Sequence, residues 1–79
     1  MKRAKPVFRF VGEPRPGVRA QLEIALAVQS FFFSVTEKGL DRAAIEQELG
    51  KELSDLKAQM RVLEVEVSGP AWFAELFRS

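Results

Sequence analysis

Between Leu22 and Val35 the chain carries an apolar stretch that includes three consecutive phenylalanines at positions 31–33. Apolar surface of this size leaves water favourably, so the chain must bury it. A bilayer-spanning helix needs about 20 apolar residues, whereas this stretch is shorter and is interrupted by Glu23, Gln29 and two serines. We therefore expect a protein core or a partner surface to bury it, and we expect no membrane contact.

The spacing of apolar residues predicts one helix over 17–38. Gly39 favours an end there because it can take the left-handed conformation, with Leu40 folding back as a hydrophobic cap. A strand over 31–36 is the alternative, since phenylalanine, valine and threonine suit strands. Two apolar stripes run along the predicted helix. One is formed by Val18, Leu22, Ala25 and Leu26, and the other by Ile24, Val28, Phe31 and Val35.

The second half of the chain predicts a helix, a strand and a short final helix. Asp41 is a good N-cap residue, and the apolar spacing after it predicts a helix over 41–60. Gly50 lies inside that helix at a cost of about 1 kcal/mol relative to alanine, which indicates a kink or a close contact. Residues 61–69 alternate between two faces and predict a strand. Pro70 then suits the start of a short helix.

These elements together predict a small single α+β domain over 6–79, preceded by a flexible basic tail over 1–5. The predicted order is β-α-α-β-α, with strands over 6–12 and 61–69 forming a two-strand sheet covered by helices. Arg9 can then face Glu64 or Glu66 across the sheet. With 31–36 as a third strand the order becomes β-α-β-α-β-α. Because a two-strand sheet is marginal alone, a homodimer is also expected, through the sheet edge or the Phe-rich helix.

The composition excludes several kinds of chemistry. The chain contains no histidine, cysteine or tyrosine, which rules out disulfides, thiolate metal sites and Ser–His–Asp or Cys–His catalysis. It also lacks the spacings of Gly-rich phosphate loops. Glu48, Glu52 and Asp55 share one predicted helix face and could hold Mg²⁺ through water, but a solvated acidic face is the simpler interpretation. We therefore expect no enzyme, no cofactor and no metal site.

The charge is distributed unevenly along the chain. Residues 1–19 carry six basic residues and one acidic residue, a net charge of +5, whereas residues 20–79 carry six basic and ten acidic residues, a net charge of −4. Such an arm can contact nucleic acid or an acidic protein, or pack as a basic edge against an acidic one. Ribbon–helix–helix and helix-turn-helix arrangements are alternatives for nucleic acid. The candidate contact residues are Lys2, Arg3, Lys5, Arg9, Arg15 and Arg19.

The final segment has the composition of a protein contact. Its aromatic and apolar residues recur at helical spacing, as in a helix that anchors in a groove. The alternative is that this helix closes the chain's own core. Because three consecutive rings cannot all face one side of a helix, at least one, with Phe32 as the candidate, is expected outside the core. The candidate partner-binding residues are Trp72, Phe73, Leu76, Phe77 and Phe32.

The sequence thus favours a small non-catalytic binding protein that acts on another macromolecule as a regulator, adaptor or stoichiometric inhibitor. Small chains of this composition class are often encoded by phages or mobile elements and directed at host machinery. A nucleic-acid-binding protein that uses the basic arm is the alternative, and a structural subunit of a larger assembly is a third hypothesis. With no cysteine and no apolar leader after its basic start, we expect a cytoplasmic protein.

Overall fold

The computed structural model describes residues 5–78, which form four helices and a two-strand antiparallel sheet, with the third and fourth helices in contact with the second strand. This confirms the predicted α+β class. The order is β-α-α-α-β-α, with one helix more than expected. The elements are β1 (Val7–Phe10), α1 (Val18–Lys38), α2 (Arg42–Glu48), α3 (Gly50–Leu63), β2 (Val65–Gly69) and α4 (Ala71–Glu75).

Helix α1 confirms the helix predicted over 17–38, and the alternative strand over 31–36 is wrong. The helix ends as the stop signal predicts, because Gly39 takes a left-handed φ of 63°. The amide of Leu40 then donates to the carbonyl of Val35 at 3.2 Å, and the Leu40 side chain packs against the core. Helical continuity from Val18 to Lys38 places Phe31, Phe32 and Phe33 about 100° apart around one axis.

The single helix predicted over 41–60 is wrong, because the backbone breaks at Leu49. Asp41 caps α2 as predicted, since its carboxylate accepts from the amide of Ala44 at 2.9 Å. Leu49 then leaves the helical region with φ −122° and ψ 23°, and Gly50 starts α3. The amide of Leu53 still donates to the carbonyl of Leu49 at 2.8 Å. The break therefore changes the direction of the chain without a loop.

The second strand is shorter than the predicted 61–69, because α3 continues to Leu63. Glu64 ends that helix in the left-handed conformation, with φ 54°, and β2 begins at the next residue. The carbonyl of Glu64 accepts from the amide of Val11 at 2.9 Å. The turn out of α3 is thereby fixed against the end of β1.

The sheet has one apolar face and one polar face. Phe8 pairs with Val67 and Phe10 with Val65, and all four side chains pack against the core. On the other face Arg9 is opposite Glu66, and its Nη2 donates to Oε1 at 2.9 Å. This confirms the predicted cross-strand pair. Both side chains are exposed, so the pair contributes only about 0.2–1 kcal/mol.

Helix α4 closes the core over the inner face of α1. Phe73 has no exposed surface, and its ring packs edge-on against Phe32 with centroids 4.9 Å apart. The centroid of its ring also lies 6.2 Å from that of Phe31 and 5.1 Å from that of Phe77. The buried core joins α1, α2, α3 and α4 in one cluster: Ile24, Val28, Phe31, Phe32, Val35, Ile45, Leu53, Leu56, Met60, Phe73 and Leu76.

We predict that Phe73→Ala lowers the free energy of unfolding by about 3–5 kcal/mol, because it empties the centre of this cluster. Urea denaturation followed by circular dichroism measures the change. Trp72→Ala is the matched control one residue away, and its effect should be smaller since Trp72 is 43% exposed. A control variant that is as destabilised as Phe73→Ala would contradict the placement of α4.

The two left-handed helix ends predict opposite effects of substitution. A non-glycine residue in this conformation costs about 1–2 kcal/mol. Glu64→Gly should therefore raise the free energy of unfolding by up to about 1 kcal/mol, whereas Gly39→Ala should lower it by about 1 kcal/mol. Chemical denaturation of both variants tests the pair, and a loss of stability in Glu64→Gly would show that its side chain matters more than its backbone.

Candidate interaction surface

One side of α1 exposes four large apolar side chains, which we name the outer face. They are Val18, Leu22, Leu26 and Phe33, with exposed fractions of 73%, 60%, 67% and 51%. At about 100° per residue they lie within about 80° of one another. They extend over 15 residue steps, or about 22 Å along the axis. Exposed apolar residues are ordinary when scattered singly, but these four share one side of the helix, with Gln29 between Leu26 and Phe33.

The buried side chains of α1 occupy a different arc of the same helix. Ile24, Val28, Phe31, Phe32 and Val35 lie within about 100° of one another and point into the core. The centres of the two arcs are about 130° apart. Helix α1 is therefore apolar on two sides, and the described part of the chain buries only one of them.

By length and composition, α1 could also cross a membrane. Its most apolar window of 18 residues has a mean hydropathy of 1.2, and 28% of that window is buried. A core helix of a globular domain passes the same test, and α1 packs against α3 in this fold. Only 28% of the window is buried because α1 leaves its outer face exposed, while its inner side chains are packed in the core.

A cleft of about 510 Å³ opens beside the C-terminal half of α1. Lys5 and Pro6 form one wall, and Gln29, Phe33 and Thr36 contribute to the other. Phe32 also lines it, and the Phe32 ring stacks on Trp72 with centroids 5.4 Å apart and planes inclined by 23°. The cleft thus adjoins the outer face at Phe33.

The expectation that Phe32 lies outside the core is wrong. Phe32 is 5% exposed, whereas Phe33 is the ring of the three that turns outward. The reason is angular: Phe32 falls within the inner arc of α1 and Phe33 falls within the outer one. The periodicity of the stripe Val18–Leu22–Leu26 would have identified position 33, because 33 lies 11 residues, close to three turns, after Leu22.

The C-terminal candidates separate into core and surface. Phe73 and Leu76 are buried, and Phe77 is half-buried against the core. Trp72 keeps an exposed edge while its ring rests on Phe32. Helix α4 is therefore a lid on the core, which was the alternative interpretation of this segment. Of its four candidates, Trp72 is the one placed to contact a partner.

The candidate basic residues do not form one patch in the described part of the chain. Lys5 lines the cleft with Glu37, whereas Arg19 lies in the first turn of α1, about 27 Å from Glu37 along the axis. Arg9 is held by Glu66 on the polar sheet face, and Arg15 lies in the loop before α1. Lys2 and Arg3, and most of the tail predicted over 1–5, lie outside the described residues.

The two nucleic-acid motifs fit this geometry poorly. A ribbon–helix–helix protein pairs its strand with a second copy, whereas β1 pairs with β2 of the same chain and Arg9 faces Glu66. A helix-turn-helix needs a turn of three or four residues, whereas Leu49 alone separates α2 from α3.

The acidic residues considered for Mg²⁺ belong to two helices. Glu48 ends α2, while Glu52 and Asp55 lie on α3 beyond the break. All three are exposed. Over residues 5–78 no group of three acidic side chains could hold a metal ion. The arrangement is that of separate solvated carboxylates.

Comparison of the chain with protein-family models, with curated proteins and with solved structures found no match.

Proposed function

We propose that this chain is a small non-catalytic binding protein that acts through contact with another protein, as a regulator, adaptor or stoichiometric inhibitor. The outer face of α1 supports this proposal. Four large apolar side chains in one stripe are costly in water, and contiguous patches of this kind mark interaction sites on soluble proteins.

The stripe has the physical properties of a helical contact. Apolar anchors at spacings of 4, 4 and 7 residues lie on one side of a helix and fit a groove or a second helix. Phe33 adds an aromatic ring at the C-terminal end, and aromatic rings are frequent among residues that dominate binding energy. Because α1 is also fixed by five core side chains, the outer face is rigid before binding, which lowers the entropic cost of association.

Trp72 supports a second contact beside the stripe. Its ring is held by stacking on Phe32, and part of its surface remains exposed. A positioned tryptophan loses little conformational freedom when a partner covers it. The composition supports a non-catalytic role, since the chain has no histidine, cysteine or tyrosine.

Nucleic-acid binding through the basic arm is the alternative. Its support is the net charge of +5 over residues 1–19. Phosphate contacts by such residues weaken steeply with salt. Apolar contact by the outer face should instead persist at moderate salt, so the two proposals predict different behaviour.

Affinity capture from a lysate of the source organism, with and without nuclease, tests the proposed function. We expect proteins that resist nuclease and moderate salt to be retained by the natural chain and lost with Leu26→Glu, which places a charge in the stripe. Mass spectrometry identifies the retained proteins.

Val62→Glu is the matched control for this experiment. Val62 is an exposed apolar residue on α3, 79% accessible and outside the stripe, so its variant should retain the same proteins. Partners that disappear with nuclease would favour the basic arm. Partners that bind Leu26→Glu as well as the natural chain would contradict the role of the outer face.

A further inference from the structure

We infer that the protein covering the outer face is a second copy of this chain, with the two α1 helices antiparallel. The inference rests on the proposed function, because it names the occupant of the same surface. It depends on two charged residues at the edge of the stripe, Arg19 and Glu37, and on where each lies along the helix.

Arg19 and Glu37 occupy the same edge of the outer face at opposite ends of α1. They are 18 residues apart, which is five full turns, so they share one angular position about 20° beyond Leu26. Both are exposed. Arg19 forms a long ion pair with Glu23, with 3.9 Å between its Nε and the Oε2 of Glu23. Both side chains are largely exposed to water.

Both charges oppose the dipole of their own helix. A helix is stabilised by acidic residues near its N-terminus and basic residues near its C-terminus. The first turn of α1 contains no acidic residue and contains Arg19, and the last turn contains Glu37 as well as Lys38. In an antiparallel pair each charge gains a favourable interaction with the dipole of the other helix. Arg19 then lies beside the C-terminal end of the other α1, and Glu37 lies beside its N-terminal end.

The apolar residues fit the same antiparallel register. If Leu22 lies opposite Phe33 of the second copy, the two-fold axis passes between positions 27 and 28. Arg19 is then within one residue step, about 1.5 Å along the axis, of Glu37 of the second copy. Gln29 lies near the axis, where the two amide side chains can hydrogen-bond to each other. A parallel pair would instead leave Arg19 about 27 Å along the axis from Glu37 of the second copy, so neither charge would lie beside an opposite one.

Sedimentation velocity of the purified chain over a range of concentrations tests the dimer. We expect a concentration-dependent dimer that Leu26→Glu abolishes and Val62→Glu retains. Arg19→Glu and Glu37→Arg should each raise the dissociation constant about tenfold, because each creates two like-charge contacts. The double variant restores opposite charges and should restore the dimer.

Engineered cysteines test the register, since the natural chain has none. Gln29→Cys should form an intermolecular disulfide, because its two copies are about 4.5 Å apart along the axis. Leu22→Cys alone should not, because its copies are about 16 Å apart along the axis, beyond the roughly 7 Å between Cα atoms that a disulfide allows. A mixture of Leu22→Cys and Phe33→Cys should cross-link. Cross-linking of Leu22→Cys alone would indicate a parallel pair and overturn the inference.

A chain that stays monomeric at every concentration also overturns the inference. If that monomer still captures nuclease-resistant proteins through Leu26, the proposed function stands and the occupant is a different protein. If the monomer co-sediments with lipid vesicles through Leu26, the outer face is a membrane contact. If Leu26→Glu changes neither self-association nor capture, the inference and the proposed function both fail.

Discussion

The packing of Phe73 against the phenylalanine rings of α1 is the interaction on which the rest of this fold depends. A sheet of two strands is marginal in water, and here its inner side chains, Phe8 and Phe10, are only half-buried. The helices must supply the burial that the sheet lacks. Helix α4 does so with one fully buried ring, and it is positioned directly after β2, which it contacts. The sheet and the aromatic cluster are therefore coupled through Pro70 and the first turn of α4.

This arrangement determines which part of α1 remains available. The core uses an arc of about 100° on α1, where α3 and Phe73 of α4 contact it. A small domain buries a limited fraction of its surface, so further apolar residues on α1 have no described element to cover them. The result is a helix that is apolar on two sides, one completed within the chain and one left exposed.

The sequence predicted the features that depend on neighbouring residues. The stop at Gly39, the cap at Asp41 and the pair Arg9–Glu66 follow from local spacing or from strand alternation, and all three are present. Gly50 indicated a kink or a close contact within one helix, but the full break at Leu49 was not predicted, because only tertiary packing distinguishes a kink from a break. The outward turn of Phe33 rather than Phe32 was missed for a different reason: a shift of one residue is a 100° rotation, and the spacing of Val18, Leu22 and Leu26, which identifies position 33, was not extended that far.

The exposed surfaces of this molecule differ in a way that bears on function. Where the sheet faces water, Arg9 and Glu66 pair with each other, and on α2 Arg42 lies 3.5 Å from Glu46. At these two places charged residues pair within the chain, and the exposed apolar residues outside α1, such as Val62, occur singly. The outer face of α1 is built differently, with apolar residues in the centre and two opposite charges at its far ends, each on the unfavourable end of the helix dipole. A second antiparallel α1 would cover the apolar stripe and pair both charges at once. An unrelated partner would need an apolar surface, an acidic group beside Arg19 and a basic group beside Glu37, each in the right place.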